Sequence, residues 1–197
     1  MCQPILSIGI IMKNNSLVIM PTFECNLNCS YCWQDRTIGV IDISLLKLQL
    51  FRLSKHIVGD LDINIMGGEL TQLDNFYEIF DTIYECTKYF KDVKNIRFTT
   101  NLTKEFDLSN YDLTIYGSLH TSVLTSTEVD SCINVYELIK NPKQLDILGP
   151  VPENIVDIFF NIIKITTTET NNQYKNSYNL NPDGKVFKNY KLYMERL

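Results

Sequence analysis

The sequence predicts an α/β protein, an open partial barrel of parallel strands. Short apolar, strand-like runs take turns with longer runs of helical spacing, which is the pattern of repeated strand–helix units. The polar and glycine-rich motifs stand directly after strand-like runs, where parallel α/β folds gather their ligands. The chain has 197 residues, room for about six strands but too few for eight with ordinary helices.

The elements follow in order. Ile5, Leu6, Ile8, Ile10 and Ile11 form a β-prone run. The polar turn Lys13-Asn14-Asn15-Ser16 and a second apolar run at 17–20 complete an expected N-terminal β-hairpin. The second strand leads straight into a cysteine-rich loop. Residues 43–58 read as a helix, with Leu45, Leu46, Leu48, Leu50, Phe51 and Leu53 as its apolar face and Asp42 or Ser44 as its cap. Residues 61–66 alternate like a strand and end in Gly67-Gly68-Glu69. A helix is expected over 73–90, a strand over 96–100 ending at Asn101, and a strand over 113–119 ending at His120. A helix over 128–139 and a short strand over 144–148 come next. The Ile-, Val- and Phe-rich segment 154–165 reads either as a long strand or as a helix leading into one. Residues 1–165 therefore form the barrel. Residues 166–197 form a short C-terminal extension, with a hairpin expected around the turn Asn181-Pro182-Asp183-Gly184.

Composition narrows the function. Hydrophobic residues make up 45%, enough for a sizeable core. The net charge of −5 and the lack of a Lys/Arg cluster argue against a surface that coats nucleic acid. The most apolar stretch, 155–165, is broken by Asp157, Asn161 and Lys164 and is too short to span a membrane. The N-terminus has no basic leader pattern, so a reducing cytoplasm is the expected setting.

The strongest chemical signal is Cys25-Asn26-Leu27-Asn28-Cys29-Ser30-Tyr31-Cys32. Three thiolates so close together suit a soft metal. Three ligands can hold a 4Fe–4S cluster through three irons and leave the fourth open for a ligand. A closed zinc site would need a second pair downstream. The other cysteines, Cys2, Cys86 and Cys132, are far apart, and His56 and His120 form no ligand-spaced doublet. A redox Cys-x-x-Cys pair would leave Cys25 without a role. A disulfide framework suits shorter, secreted chains.

This segment, with aromatic Tyr31 before its last cysteine, resembles the signature of the radical S-adenosylmethionine (radical SAM) enzymes. The resemblance covers approximately residues 17–165. It implies that Cys25, Cys29 and Cys32 bind a 4Fe–4S cluster and that SAM chelates the open iron. It further implies that one electron cleaves SAM reductively to a 5′-deoxyadenosyl radical, which abstracts hydrogen from a substrate. Gly67, Gly68, Glu69, Asn101, Ser118 and His120 are the implied contacts to SAM. Glu69 in particular is a candidate acceptor from the methionyl ammonium group, although the family meets that group largely through backbone. Each position also has a plain structural reading: a strand-to-helix turn for Gly67-Gly68-Glu69, a turn residue for Asn101, a structural histidine for His120. Leu70-Thr71 and Leu102 depart from the family's usual Pro and Gly.

Tyr31 and Trp33 flank Cys32 and are placed to shield a cluster or to pack in the core, and Asn26 and Asn28 are candidate donors to its sulfurs. Buried small-residue roles are expected for Cys86 and Cys132. The cysteine motif is most similar to members acting on peptides and proteins. No cysteine follows Cys132, so an auxiliary cluster is not expected. A partner such as flavodoxin or ferredoxin would supply the electron. Glycyl-radical activases and deazapurine-forming enzymes are the alternative relatives, and a non-catalytic metal-binding scaffold is the alternative outside enzymology.

Overall fold

The computed structural model describes residues 15–148 and 176–188. The expected strand over 5–11 and the ambiguous segment 154–165 lie outside these residues. The described elements are β1 (Asn15–Ile19), α1 (Ile43–Ser54), β2 (Leu61–Ile65), a 3-10 turn (Leu70–Gln72), α2 (Phe76–Thr87), β3 (Val93–Thr100), β4 (Thr114–Leu119), α3 (Ser126–Leu138), β5 (Lys143–Ile147), β6 (Asn176–Leu180) and β7 (Val186–Lys188).

The strands form one sheet in the order β5-β4-β3-β2-β1-β6-β7. Every pairing from β5 across to β6 is parallel, and only β7 runs antiparallel, as the outer arm of a hairpin with β6. The sheet does not close on itself, as expected for a partial barrel of this length. β1 lies inside it, paired along one edge to β2 and along the other to β6.

One face of the sheet is apolar. Leu17, Ile19, Ile63, Ile65, Phe98, Ile115 and Leu119 join a single core with Leu46 and Leu50 of α1, Ile79, Phe80 and Ile83 of α2, and Val129 and Ile133 of α3. Phe80 packs edge-on against Phe98 with ring centroids 5.5 Å apart, seating α2 on β3. Strand alternation turns the intervening residues to the opposite face. That face is polar and includes Ser16, Asn64, Arg97, Thr99, Tyr116 and Ser118.

Local chemistry sets the element ends. Asp42 caps α1 by accepting from the Leu45 N–H. Thr125 and Glu128 form a reciprocal capping box at the start of α3. The helix expected from residue 73 begins only at Phe76, because Glu69 caps the 3-10 turn and Leu73 is extended (φ −73°, ψ 141°). No helix among the described residues is long and apolar enough to cross a membrane.

Candidate metal and S-adenosylmethionine site

The cysteine loop leaves β1 at the carboxyl end of the sheet and is bound to the loop that leaves β2. The Gly68 N–H donates to the Thr22 carbonyl and the Glu69 N–H to the Glu24 carbonyl, each at 2.8 Å. These bonds carry the β1–β2 pairing on into the loops. The approach demands glycine. Gly67 has φ +142°, and a Cβ there would collide with the Thr22 carbonyl oxygen. A Cβ on Gly68 would collide with the Glu24 carbonyl oxygen. The sequence Gly67-Gly68 thus lets two backbones meet where the cysteines begin.

Glu69 is fully buried, and its carboxylate ties β2 to β3. Oε1 accepts from the Thr71 N–H (3.2 Å), the Thr71 hydroxyl (2.7 Å) and the Thr100 hydroxyl (2.9 Å). Oε2 accepts from the Asn101 N–H. Burial pushes the Glu69 carboxyl above the ordinary carboxylate range, and these donors oppose the shift. Among the described residues, these donors to the carboxylate come from the turn after β2 and from the end of β3.

Asn101 is also turned to the cysteine loop. Its amide donates to Asn26 Oδ1 at 3.0 Å and stands 3.8 Å from Cys25 Sγ. Its own Oδ1 accepts from the Thr103 N–H (3.1 Å) and the Thr103 hydroxyl (2.6 Å). The Thr103 hydroxyl accepts in turn from Asn26 (2.9 Å) and Gln72 (3.1 Å). Thr103 and Gln72 were not among the expected site residues. The spacing Asn101-x-Thr103 is an Asx-turn signal that marks Thr103, whereas nothing local marks Gln72.

Leu102 stands at φ +64°, a conformation that favours glycine. The strain costs about 1 kcal/mol. Its side chain is fully buried, which offsets the strain by about 2 kcal/mol.

The Cys25 and Cys29 side chains are half-buried and Cys32 is exposed, all as free thiols. The Cys32 N–H donates to the Cys29 carbonyl at 3.1 Å, forming a tight turn between them. The Leu27 N–H donates to Cys25 Sγ at 3.4 Å. Burial pushes the Cys25 thiol up, and the Leu27 N–H opposes this. Soft donors on one short loop, with N–H groups turned to sulfur, fit an iron–sulfur cluster. The bland expectation holds for Cys86 and Cys132, which are buried in α2 and α3.

His120 follows β4 and reaches the same loop. Its Nδ1 lies 2.7 Å from the Tyr31 hydroxyl and 3.5 Å from Cys29 Sγ, with the Tyr31 and His120 rings stacked. Burial lowers its pKa from the ordinary histidine value. Ser118 lies on β4 with its side chain on the polar face. Trp33 packs edge-on against buried Phe23 with ring centroids 5.9 Å apart. Among the described residues no group of three or more His, Cys, Asp or Glu is arranged to hold a metal ion.

No family model matches the chain. No curated protein matches it either. Among solved structures, hexahistidine-tagged anSMEcpe with bound AdoMet (S-adenosylmethionine) superposes with a TM-score of 0.53 at 19% identity, covering 76% of this chain and 45% of that one. Native anSMEcpe with bound AdoMet and a Cp18Cys peptide superposes at 0.52 and 19% identity, covering 66% and 42%. The chain's fold is the partial α/β barrel of the radical SAM type. The chain spans less than half the length of the anSMEcpe structures it matches.

Proposed function

We propose that the chain is a radical SAM enzyme, with Cys25, Cys29 and Cys32 holding a 4Fe–4S cluster and Gly67, Gly68, Asn101, Ser118 and His120 forming the surroundings of SAM. The observation that carries this reading is the junction of the cysteine loop with the ends of β2 and β3, made by the Gly68 and Glu69 amides and by Asn101. A cluster ligand loop and a small-molecule ledge are thereby fixed to one another, as a reaction between the two requires.

When bound, the cluster supplies the electron that cleaves SAM to the 5′-deoxyadenosyl radical, which takes hydrogen from the substrate. The chain's own residues orient and exclude. Glu69 acts as a positioning residue that fixes the Asn101 backbone, and Asn101 holds Asn26 and faces Cys25. Gly67 and Gly68 keep the ledge free of side chains. Tyr31 and His120 cover Cys29 on the side of β4. An oxygen-sensitive cluster suits a reducing cytoplasm, and a flavodoxin or ferredoxin is the proposed electron donor. The peptide bound to one anSMEcpe structure supports a peptide or protein substrate.

One observation favours a second reading. His120 beside Cys29 offers a fourth donor, and a Cys3His set makes a closed, structural zinc site. The distinguishing experiment is anaerobic reconstitution with iron and sulfide, then dithionite and SAM, with 5′-deoxyadenosine read by mass spectrometry. Wild type is expected to form it and the Cys25/Cys29/Cys32 triple alanine variant is not, while Cys86→Ala and Cys132→Ala retain it. Tightly held zinc, no cluster and no 5′-deoxyadenosine would establish the scaffold reading instead.

A further inference from the structure

The polar face of the sheet carries one arginine with no carboxylate partner among the described residues, Arg97 of β3. Its guanidinium carbon lies 5.6 Å from the centroid of the Tyr116 ring on β4. In register beside Arg97 are Asn64 on β2 and Thr114 on β4, and Thr99 follows on its own strand. Asn64 is oriented by its amide, which donates to Ser16 at 3.2 Å. Asp62, on the same face, accepts from Asn95 at 2.7 Å. Arg97 is half-buried, so its charge is partly shielded from water.

We propose that Arg97, backed by Tyr116 and flanked by Asn64 and Thr99, is a specificity site for a carboxylate on the substrate. This rests on the enzyme reading above and narrows its substrate to one bearing an acidic group. A guanidinium held over an aromatic ring is attracted by the ring's negative face, and its planar fork of donors can take a carboxylate with two parallel hydrogen bonds. The position suits a substrate handle. Arg97 lies on β3, and Asn101 directly follows the strand's last residue, about 13 Å further along the chain. A carboxylate held there leaves an extended side chain or peptide reaching toward the cysteine loop. Charge favours a single negative charge over a double one. Asp62 and Asp146 share this face, and a phosphate dianion feels their repulsion about twice as strongly as a carboxylate does.

The test is an NMR titration of the full chain that follows the Arg97 side-chain Nε–Hε signal. The probes are N-acetyl-aspartate N-methylamide, its asparagine counterpart and inorganic phosphate. The aspartate probe is expected to shift that signal and to bind about tenfold more tightly than the asparagine probe. Amide shifts across β3 and β4 report binding in the variants. Arg97→Met is expected to erase the preference. Arg97→Lys, which keeps the charge without the fork, and Tyr116→Leu, which removes the ring, are expected to weaken it; they decide the matter if Arg97→Met folds poorly. Equal binding of the aspartate and asparagine probes, or tighter binding of phosphate, overturns the site. A wild type that cleaves SAM without any carboxylate preference overturns this site alone. A carboxylate preference in a chain that never cleaves SAM supports the site and counts against the proposed reaction.

Discussion

Leu102 fills the space that Gly117 leaves empty. The Leu102 Cδ1 carbon lies 2.7 Å from where a Cβ on Gly117 would stand, and Leu145 closes in at 3.0 Å. The two residues belong to different strand–loop units, so the ends of β3 and β4 are matched by shape. Gly117→Ala is expected to destabilise the fold by about 1–3 kcal/mol, read by urea unfolding. Leu102→Gly relieves the backbone strain but opens a cavity, for a net loss of about 2 kcal/mol. Combining Gly117→Ala with Leu102→Ala is expected to cost less than the sum of the single changes, because each removes part of the other's problem.

Gly68→Ala attacks the junction of the cysteine loop with β2. The added carbon meets backbone rather than a side chain that can swing away. Unfolding free energy is expected to fall by about 2 kcal/mol or more, with a parallel loss of iron and sulfide after reconstitution. Gly39→Ala is the control, because its Cβ would meet only the Glu24 carboxylate, at 3.5 Å. Equal iron content in the two variants would show that this junction does not position the cysteines.

Glu69→Ala leaves the donors of Thr71, Thr100 and Asn101 without an acceptor in a buried place. The expected loss is about 3 kcal/mol or more by thermal or urea unfolding. Glu69→Gln keeps an oxygen for the two threonines but sets an amide against the Asn101 N–H. It is expected to fall between wild type and Glu69→Ala. A Gln variant as weak as the Ala variant would mean that the Asn101 bond dominates.

Alkaline pH tests the edge of α2. The Asp81 carboxylate beside its hydroxyl pushes the Tyr111 phenol up to about 12, from an ordinary value of about 10. The folded chain then holds a proton that the unfolded chain releases between these values. The contribution is fully present below pH of about 10 and is lost as pH rises through the folded value. Phenolate absorbance should show a late transition that Tyr111→Phe removes and Asp81→Asn moves to lower pH.

Period and punctuation made much of this fold readable. Leu61-Asp62-Ile63-Asn64-Ile65 alternates, and the observed strand keeps that alternation between core and polar face. Gly67-Gly68 marked a turn after β2, but the sequence does not say that the backbone of Thr22 and Glu24 comes against it. The donors to Glu69 were not legible locally, because Thr100 and Asn101 lie far along the chain. The pairing of Tyr31 with His120 was hidden for the same reason. Local pattern reports the state of a segment. The hydrogen bonds that close a site depend on which strand ends become neighbours.

The interior position of β1 has a consequence for how the chain reaches this fold. Asn15 pairs with Asn176, so one edge of β1 stays unsatisfied until a strand made far later in synthesis arrives. Closing so long a loop is slow, and an open strand edge meanwhile can pair with other chains. The cysteine loop hangs from that same strand. A nascent chain therefore carries the thiols proposed as cluster ligands on an unfinished sheet, so the order of their loading and of strand docking would shape how the fold is completed.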